Sequence, residues 1–548
     1  MHISKLTILS MLLATLSMLM LGACSDAIDP VVQDTVESAG GKFISISITA
    51  GALQNADAPK ASRVVRPNSE GSTGTTGTTG TTAQEGTSTP PNGGEEGDGQ
   101  ENGYANEFAV ERVSVLLYQA PRGVTIPENG VINMDKTITD KIKVKVFCYN
   151  TYGNVSGPIG GTGKIIYTTG SQELPDDFMT GDYRFLIVAN KELTYLDGRT
   201  LSELRDYVYN SEPFDYGLKA DGKTIDYDPN TYSNFAMSSV KEHRIVIGKG
   251  AGHVGDGSQD NPYTPVFDEG SKYVEVERLA ARIDFAQEET KENGIDLCKW
   301  NSTDQCYDYA VIDQTSGNQI ATFKLYYIFP FNMTRQGYVF KHTTQGEDLS
   351  TCNYLGRETD NTVVDGGWEK HYATNYVLDP MTKIKGQGHV SYGHYYIPQL
   401  YQPVLANNAK ILLERCKVKS PDEMHKSKTG RKYYTVCYSA ENTMSIAAQQ
   451  SVAPPIAHYA AGLRFFGKYV KKDTDPKDAS YIALDWFLRH SAPDGKADLT
   501  KPMTYGVVRN NIYRVYIKRI GKQDEQVELN VNVRNVPWAV FTHSDIVM

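Results

Sequence analysis

The sequence lacks the residue spacings that mark common metal and acyl-transfer sites. No C-x-x-C, H-E-x-x-H or G-x-S-x-G occurs anywhere in its 548 residues. His389 and His394 lie among tyrosines in GHVSYGHYY, a setting that favours packing over metal ligation. These absences predict that the chain is not an enzyme and that it holds no metal and no cofactor.

Basic runs and long amphipathic helices are missing too. The 55 Lys and Arg residues are outnumbered by 65 Asp and Glu residues, and no stretch of five or six basic residues occurs. A nucleic-acid surface needs a basic patch, so we predict no nucleic-acid partner. No extended segment has the 3.6-residue apolar period of a helix.

Short alternating runs, separated by Gly, Asn, Asp and Pro, fill the chain from residue 111 onward. With 35 tyrosines and 48 glycines, this pattern is typical of β-sandwiches. A hydrophobic content of 40% at this length suffices for roughly two to three domains. We therefore expect an all-β fold with few short helices, one of them in LSELRDYVYN after Thr200.

The N-terminus has the features of an export signal. Lys5 precedes the apolar run Leu6 to Leu21, which is 16 residues long and suits a secretory signal better than a membrane span. Small residues then precede Cys24, in LGAC, which resembles a bacterial lipobox. That resemblance implies that residues 1–23 are removed and that Cys24 carries lipid. The alternative is a plain signal peptide with an incidental cysteine.

Composition divides the remaining chain into segments. Residues 67–105 are of low complexity, with GTTGTTGTT at their centre, and bury too little to repay ordering, so we predict a linker over 64–110. The turn-rich stretch HVGDGSQDNPYTP predicts a boundary at residue 265. An N-terminal sandwich is then expected at 111–265 and a C-terminal sandwich at 266–548.

Six cysteines remain once Cys24 is assigned to lipid, and outside the cytosol cysteines can form disulfides. Cys298 and Cys306 bracket the short loop KWNSTDQ. Cys416 and Cys437 lie on two strand-like runs, ILLERCKV and KYYTVCYS, that would face each other across a hairpin. Each pair is a candidate disulfide, with free thiols as the alternative.

Two strands, one near each end, have the alternation of segments that bury one face. The apolar residues of the first are Ile44, Ile46 and Ile48, which alternate with Ser45, Ser47 and Thr49. Those of the last are Val527, Leu529, Val531 and Val533. Pro537, beside Trp538, predicts an edge position for the terminal strand, because proline cannot donate to a central ladder. The first strand is expected to fill an edge groove of a sandwich.

The ordered set of segments resembles the fimbrillin family of Bacteroidales, the subunits of type V pili. After the lipobox and the Ile/Ser strand, the matching segments are GDYRFLIVANK (181–191), FAMSSV (235–240), VERLAARIDF (276–285), RNNIYRVYI (509–517) and VNVRNVPWAVF (531–541). Together they span nearly the whole chain.

The resemblance implies two tandem transthyretin-like Greek-key β-sandwich domains and assembly by strand donation. The precursor would be a lipoprotein of the outer membrane, and an Arg-specific protease would remove residues 24–63 by cutting between Arg63 and Val64. The alternative sites Lys60 and Arg66 fit less well, since Arg66 precedes a proline. The strand with Ile44, Ile46 and Ile48 would then leave, and the terminal strand of a neighbour would be the donor.

Other roles stay open. Within the family, the sequence between the landmarks, especially 286–480, is more like that of an accessory tip subunit than of a stalk or anchor subunit. Implied partners are other fimbrial subunits, the maturation protease and host or bacterial surface receptors. The alternative function is a surface-anchored glycan-binding lipoprotein, with YYIF (326–329) and GHYYIPQLYQP (393–403) as aromatic platforms.

Overall fold

The computed structural model describes a defined part of the chain. That part comprises residues 37–52, 104–119, 136–151, 164–226, 228–239, 242–266, 273–287, 290–334, 336–343, 377–382, 395–396, 413–426, 432–451, 459–490, 499, 503–523 and 526–537. Strands dominate it, and its helices are one turn or slightly more. The predicted all-β class with few short helices is confirmed.

The strands and helices are numbered in chain order. The strands up to Arg278 are β1 Phe43–Ile44, β2 Ser47–Ala52, β3 Arg112–Tyr118, β4 Lys145–Asn150, β5 Lys164–Thr168, β6 Gln172–Glu173, β7 Gly181–Ala189, β8 Val208–Asn210, β9 Gly217–Leu218, β10 Ile225–Asp226, β11 Met237–Ser239, β12 His243–Ile247, β13 His253–Val254, β14 Thr264–Pro265 and β15 Val274–Arg278. The later strands are β16 Ala281–Gln287, β17 Lys291–Glu292, β18 Ile295–Asp296, β19 Cys298–Asn301, β20 Cys306–Asp313, β21 Gln319–Phe331, β22 Met333–Thr334, β23 Gln336–Tyr338, β24 His342–Thr343, β25 Val377–Leu378, β26 Tyr395–Tyr396, β27 His425–Lys426, β28 Lys432–Ser439, β29 Asn442–Thr443, β30 Gly462–Lys471, β31 Ser480–Phe487, β32 Gly506–Val507, β33 Asn511–Gln523 and β34 Gln526–Pro537. The α-helices are α1 Ala105–Phe108, α2 Lys136–Thr139, α3 Leu201–Arg205 and α4 Ile446–Gln449, and short 3-10 turns lie at Thr194–Leu196, Pro229–Thr231, Pro421–Glu423 and Pro476–Asp478.

The first large sheet folds into two facing layers because β7 has two partners along one edge. β11 pairs with its end and β12 with its beginning, while β3 pairs along the opposite edge. One layer is β4-β3-β7-β12, and the other is β11-β15-β2-β5. Valines, isoleucines and phenylalanines of both layers form one buried core, as expected for a sandwich.

The second large sheet divides in the same way at β33. β16 runs parallel to the first half of β33, and β20 runs parallel to its second half. The layer β27-β28-β16 therefore faces the layer β20-β21-β30-β31 across a second core, which takes aromatic and aliphatic residues from both. The prediction of two tandem sandwiches is thereby confirmed.

The two sandwiches meet directly. The connection from β15 to β16 is only Leu279-Ala280, and both residues are buried. β23 returns from the second half of the chain to pair with β8, and Tyr438 and Ile512 enter the core of the first sandwich. The domain boundary predicted at residue 265 remains a prediction. β15 follows residue 265 but belongs to the first sheet, so a boundary drawn by sheet membership would lie at about residue 280.

The predicted helix after Thr200 is present as α3 over the first half of LSELRDYVYN, whereas the last three residues of that segment form the strand β8. The Thr200 hydroxyl accepts a hydrogen bond from the Glu203 N–H at 3.2 Å, and the Thr200 N–H donates to the Glu203 carboxylate at 2.8 Å. This capping box fixes where the helix begins. Leu201 and Leu204 pack on the outer face of the first sheet.

Among the described residues, no helix combines the length and the apolar composition needed to cross a membrane.

Candidate functional site

The N-proximal strand, defined as residues 43–52, is built into the first sandwich. Ile44, Ile46 and Ile48 are each at most 1% exposed, and all three belong to the first core. Ser45 and Ser47, on the other face, are partly exposed. Full burial of three isoleucines contributes about 4.5–9 kcal/mol before entropy is deducted. The alternation read from the sequence therefore places the correct face inward.

The expected edge position of this strand is wrong. β2 is parallel to β15, with Ile48 opposite Val274, and antiparallel to β5, with Ile48 opposite Tyr167. It is therefore the second strand from the end of its layer. The parallel pairing joins segments far apart in the chain, a relation that alternation alone does not reveal. Removing the strand would leave a slot with two walls.

Backbone hydrogen bonds hold the strand on both edges. On one edge, the Phe43 N–H donates to the Gly257 carbonyl at 2.9 Å, and the Ser45 N–H donates to the Tyr263 carbonyl at 2.9 Å. On the other edge, the Ile46 N–H donates to the Thr169 hydroxyl at 3.1 Å, and the Thr169 N–H donates to the Ile46 carbonyl at 3.0 Å. Successive N–H groups thus point to opposite edges of the strand, as in regular strand geometry.

The terminal strand β34 is antiparallel to β33 over nearly its full length, from Gln526 opposite Gln523 to Pro537 opposite Asn511. β33 is its only strand partner in the described part of the chain, so β34 lies at an edge, as Pro537 predicts. Val527 packs partly buried against the second core. The predicted donor residues Leu529, Val531 and Val533 lie on this strand.

Several predicted positions lie outside the described residues. They are the lipid-bearing Cys24, the processing positions Arg63 and Val64, and Trp538. Lipidation and cleavage therefore remain predictions.

Buried charges lie where the two sandwiches meet. Glu107, in α1, accepts hydrogen bonds from the Arg282 guanidinium at 2.9 and 3.1 Å and from the Tyr438 hydroxyl at 2.6 Å. Arg282 also contacts the Asp284 carboxylate at 3.1 Å, and Asp284 accepts from Arg514 at 3.2 Å. These four charged side chains are at most 1% exposed, so each charge is stabilised by its buried partners and not by water.

Two more buried ion pairs extend this interface, which we call the seam. Arg509 lies 2.8 Å from Glu441, and Lys341 lies 3.1 Å from Glu277. The Arg278 Nε donates to the Glu107 carbonyl at 2.8 Å, and burial lowers the pKa of Arg278 to about 10. Charge pairs thus join α1, β16 and β33, and the Arg278 hydrogen bond to the Glu107 carbonyl adds β15 to the seam.

Most of the seam residues lie in two segments that the sequence analysis names, but their role as buried ion pairs between the sandwiches was not predicted. VERLAARIDF supplies Glu277, Arg278, Arg282 and Asp284, and RNNIYRVYI supplies Arg509 and Arg514. The available signal was charge at alternate positions of apolar strands: Arg282 and Asp284 alternate with Ile283 and Phe285, yet all four are buried. Such a strand has no solvent face, which predicts partners for its charges.

Neither predicted disulfide is formed in the structure. Cys298, Cys306, Cys416 and Cys437 are buried thiols. In the β19–β20 pairing, Cys298 faces Tyr309 and Cys306 faces Asn301, an offset of roughly 10 Å along the strands, whereas a disulfide needs Cα atoms within about 7 Å.

The hairpin expected for the second cysteine pair does not form. Residues 413–416 make a helical turn, and Lys417 then bridges to Tyr327 instead of to β28. Burial raises the pKa of Cys416 and of Cys437. Both thiols therefore serve as apolar core residues.

Two glycine-containing spacings match nucleotide-binding patterns, one the P-loop and the other the dinucleotide fingerprint. GLKADGKT (217–224) becomes the β9–β10 hairpin, where the Asp221 carboxylate accepts from the Lys223 and Thr224 N–H groups at 2.8 Å each. GAGHVG (250–255) leads into the β13–β14 hairpin. Neither opens a helix, and Asp221 occupies the amides that a phosphate would need, so neither is a phosphate site.

The predicted aromatic platforms are described in part. Tyr327 and Phe329 lie partly exposed on the outer face of the second sandwich, beside Phe466. Tyr481 extends this row, with its ring centroid 5.6 Å from that of Phe466 and nearly parallel to it. Of GHYYIPQLYQP, only Tyr395 and Tyr396 are described. The described residues contain no cluster of three or more His, Cys, Asp or Glu side chains suited to a metal ion.

No protein-family model matches the chain, and no curated protein matches it significantly. Among solved structures, a proposed cell adhesion protein from Parabacteroides distasonis is 12% identical, with 91% of this chain and 100% of that chain covered and a TM-score of 0.40. The C-terminally truncated tip fimbrial protein Mfa3 from Porphyromonas gingivalis is 11% identical, with 90% and 100% covered and a TM-score of 0.34. A fimbrilin (FimA) from Porphyromonas gingivalis W83 is 14% identical, with 92% and 99% covered and a TM-score of 0.34. All three TM-scores are below 0.5, so the proposals below rest on the residues themselves.

Proposed function

We propose that the chain is a structural and adhesive subunit of a cell-surface fimbrium that assembles by exchange of β-strands. The observation that carries this proposal is the N-proximal strand: it fills a two-walled slot with three buried isoleucines. Residues 53–103 separate it from the next described segment, and most of them belong to the low-complexity tract that begins at residue 67 and has few apolar side chains to bury. Cutting in this region would detach the strand from the chain.

The vacant slot would bind an extended strand of a neighbouring subunit. Ladder hydrogen bonds would supply affinity, and the pockets of Ile44, Ile46 and Ile48 would set the register. The terminal strand has apolar residues with the same period, Val527, Leu529, Val531 and Val533. Four such side chains contribute on the order of 6–12 kcal/mol before entropy is deducted. The strand lies at an edge, where it has one backbone edge to lose on release.

The maturation steps belong to the same proposal. Export as a lipoprotein through Cys24 would bring the precursor to the outer membrane, and an Arg-specific protease would cut between Arg63 and Val64. Other fimbrial subunits are the partners of the exposed slot and of the terminal strand. An accessory position at the fimbrial tip is favoured by the long sequence between the landmarks, and contact with a host or bacterial surface would follow from that position.

Glycan binding is the second candidate function. It is favoured by the row of partly exposed rings Tyr327, Phe329, Phe466 and Tyr481, which presents aromatic faces on one side of a sheet. A Tyr481→Ala variant that loses retention on immobilised surface glycans, with unchanged assembly, would favour this function.

The test of strand exchange is an Arg63→Ala substitution in the producing bacterium, with Arg66→Ala as the matched control. We expect Arg63→Ala to keep the precursor N-terminus and to lose polymer, and Arg66→Ala to mature and assemble normally. The readouts are the mass of the N-terminal peptide and the amount of sheared surface polymer. Normal polymer in the Arg63→Ala strain would contradict the proposed processing.

A further inference from the structure

Residues 164–173, which include β5 and β6, form one wall of the slot and are here called the outer wall. In the described part of the chain, β5 pairs only with β2, and β6 pairs only with β1. Both strands of the outer wall therefore obtain their ladder hydrogen bonds from the N-proximal strand. The segment that the proposed maturation removes is the one on which this wall is built.

Side-chain hydrogen bonds repeat this dependence. The Thr168 and Ser45 hydroxyls lie 3.3 Å apart, and the Thr169 hydroxyl accepts a hydrogen bond from the Ile46 N–H at 3.1 Å. Other bonds of this stretch stay inside the wall, such as the Gly170 N–H to the Thr168 hydroxyl at 3.2 Å. Tyr167 is the exception, since its hydroxyl hydrogen-bonds to the backbone of Val110 and its ring packs partly buried against the first core.

The opposite wall is supported independently of the N-proximal strand. β15 pairs with β11 as well as with β2. Tyr263 adjoins β14, which pairs with β13 in a hairpin, and its ring contacts that of His253 at 4.6 Å between centroids. This inner wall therefore keeps a ladder and ring contacts when the N-proximal strand is absent.

We propose that the outer wall is not a preformed half of the acceptor site but folds onto whichever strand occupies the slot. This inference rests on the proposed strand exchange and specifies its partner. The incoming segment is an extended strand that is hydrogen-bonded on both edges, because the Ser45 N–H faces the inner wall and the Ile46 N–H faces the outer wall. Proline is therefore not tolerated at the central positions of the incoming strand, because it lacks the backbone N–H that donates to either wall.

Three alternate apolar residues complete the specification of the partner, one for each isoleucine pocket. The terminal strand of this chain meets both conditions, since its first proline is Pro537 and the preceding residues 527–536 contain none. A vacant slot would then have one firm edge, on β15, and one edge that forms with the partner. Ordering of residues 164–173 becomes a measure of strand uptake.

The test is native-state hydrogen exchange on the intact chain, comparing wild type with Ile46→Ala. Val146→Ala is the matched control, because Val146 is also a buried aliphatic residue but lies on β4, at the opposite end of the same sheet. A core isoleucine truncation of this kind speeds the openings that expose it by roughly 30-fold or more. We expect Ile46→Ala to accelerate exchange of residues 43–49 and of 164–173 by the same factor. The control should leave 164–173 unchanged.

Acceleration of 43–49 alone, with 164–173 at the wild-type rate, would overturn the inference. If Ile46→Ala does not fold, wild type in rising denaturant decides the matter. Residues 43–49 and 164–173 should then merge into one opening at lower denaturant than 112–118, and separate openings would overturn the inference. Both results are independent of processing in cells, so a failure of the Arg63→Ala test would remove the proposed function while leaving this result intact.

Discussion

The seam charge Glu107 provides the sharpest prediction about what holds the two sandwiches together. It accepts two hydrogen bonds from Arg282 and one from Tyr438, and it is fully buried. Glu107→Gln keeps the shape but removes the charge and replaces one of the two acceptor oxygens with a donor NH2, so that Asp284 is the carboxylate that still pairs with Arg282. Because breaking a buried pair strands the other charge, we expect a loss of about 3–5 kcal/mol in the free energy of unfolding.

The matched control is Asp182→Asn. Asp182 binds Arg244 with two oxygens, at 2.9 Å each, but both side chains are well exposed. Water screens this pair, so its loss should cost about 1 kcal/mol or less. Urea unfolding of both variants, followed by near-UV circular dichroism, measures the difference. Equal costs for the two variants would refute a seam held by charge.

A double-mutant cycle separates pairing from simple loss of fit. Arg282→Met alone should be costly because it strands the Glu107 carboxylate, whereas Asp284 keeps its pair with Arg514. In the Glu107→Gln background, the same change should cost at least about 1 kcal/mol less, since one stranded charge has gone. Additive costs would show that Glu107 and Arg282 do not stabilise each other.

Further predictions concern thiols and pH. Burial raises the pKa of Cys306 to about 12, so a thiol reagent at pH 8 should modify neither Cys306 nor Cys437 in the native chain and both after unfolding, as read by mass spectrometry; labelling of native Cys437 would contradict its buried position. Burial also raises the pKa of Glu242 to about 7 from 4.5. The folded chain therefore holds this proton more tightly than the unfolded chain does, and the stabilisation is complete below pH 4.5 and lost as pH rises through about 7. Glu242→Gln should flatten this part of the stability profile, and an unchanged slope would contradict the assignment.

Local patterns predicted much of the fold, because they depend on neighbours in the chain. The alternation in residues 43–49 placed Ile46 inward, and the segment that follows Thr200 was predicted to contain the helix α3. The parallel pairing of β2 with β15 was beyond such patterns, since it joins distant segments whose register depends on the whole sandwich.

The sequence did not predict the cysteine geometry or the seam, for a related reason. Cys298 and Cys306 are near in sequence, but their strand register sets them apart, and no spacing rule contains that register. The partner of Arg282 is Glu107, which belongs to a different segment, and a single sequence does not reveal which buried charges meet. Both faces of β16 are buried, and the sequence indicates this only through charged residues that alternate with apolar ones in the strand.

The most direct test of the central claim is the N-terminal sequence of the chain recovered from washed surface fibres. Strand exchange predicts that this chain begins at Val64 and that no peptide containing Ile44, Ile46 and Ile48 accompanies it. Fibres whose subunits still begin at a lipid-bearing Cys24 and retain residues 43–52 would contradict it.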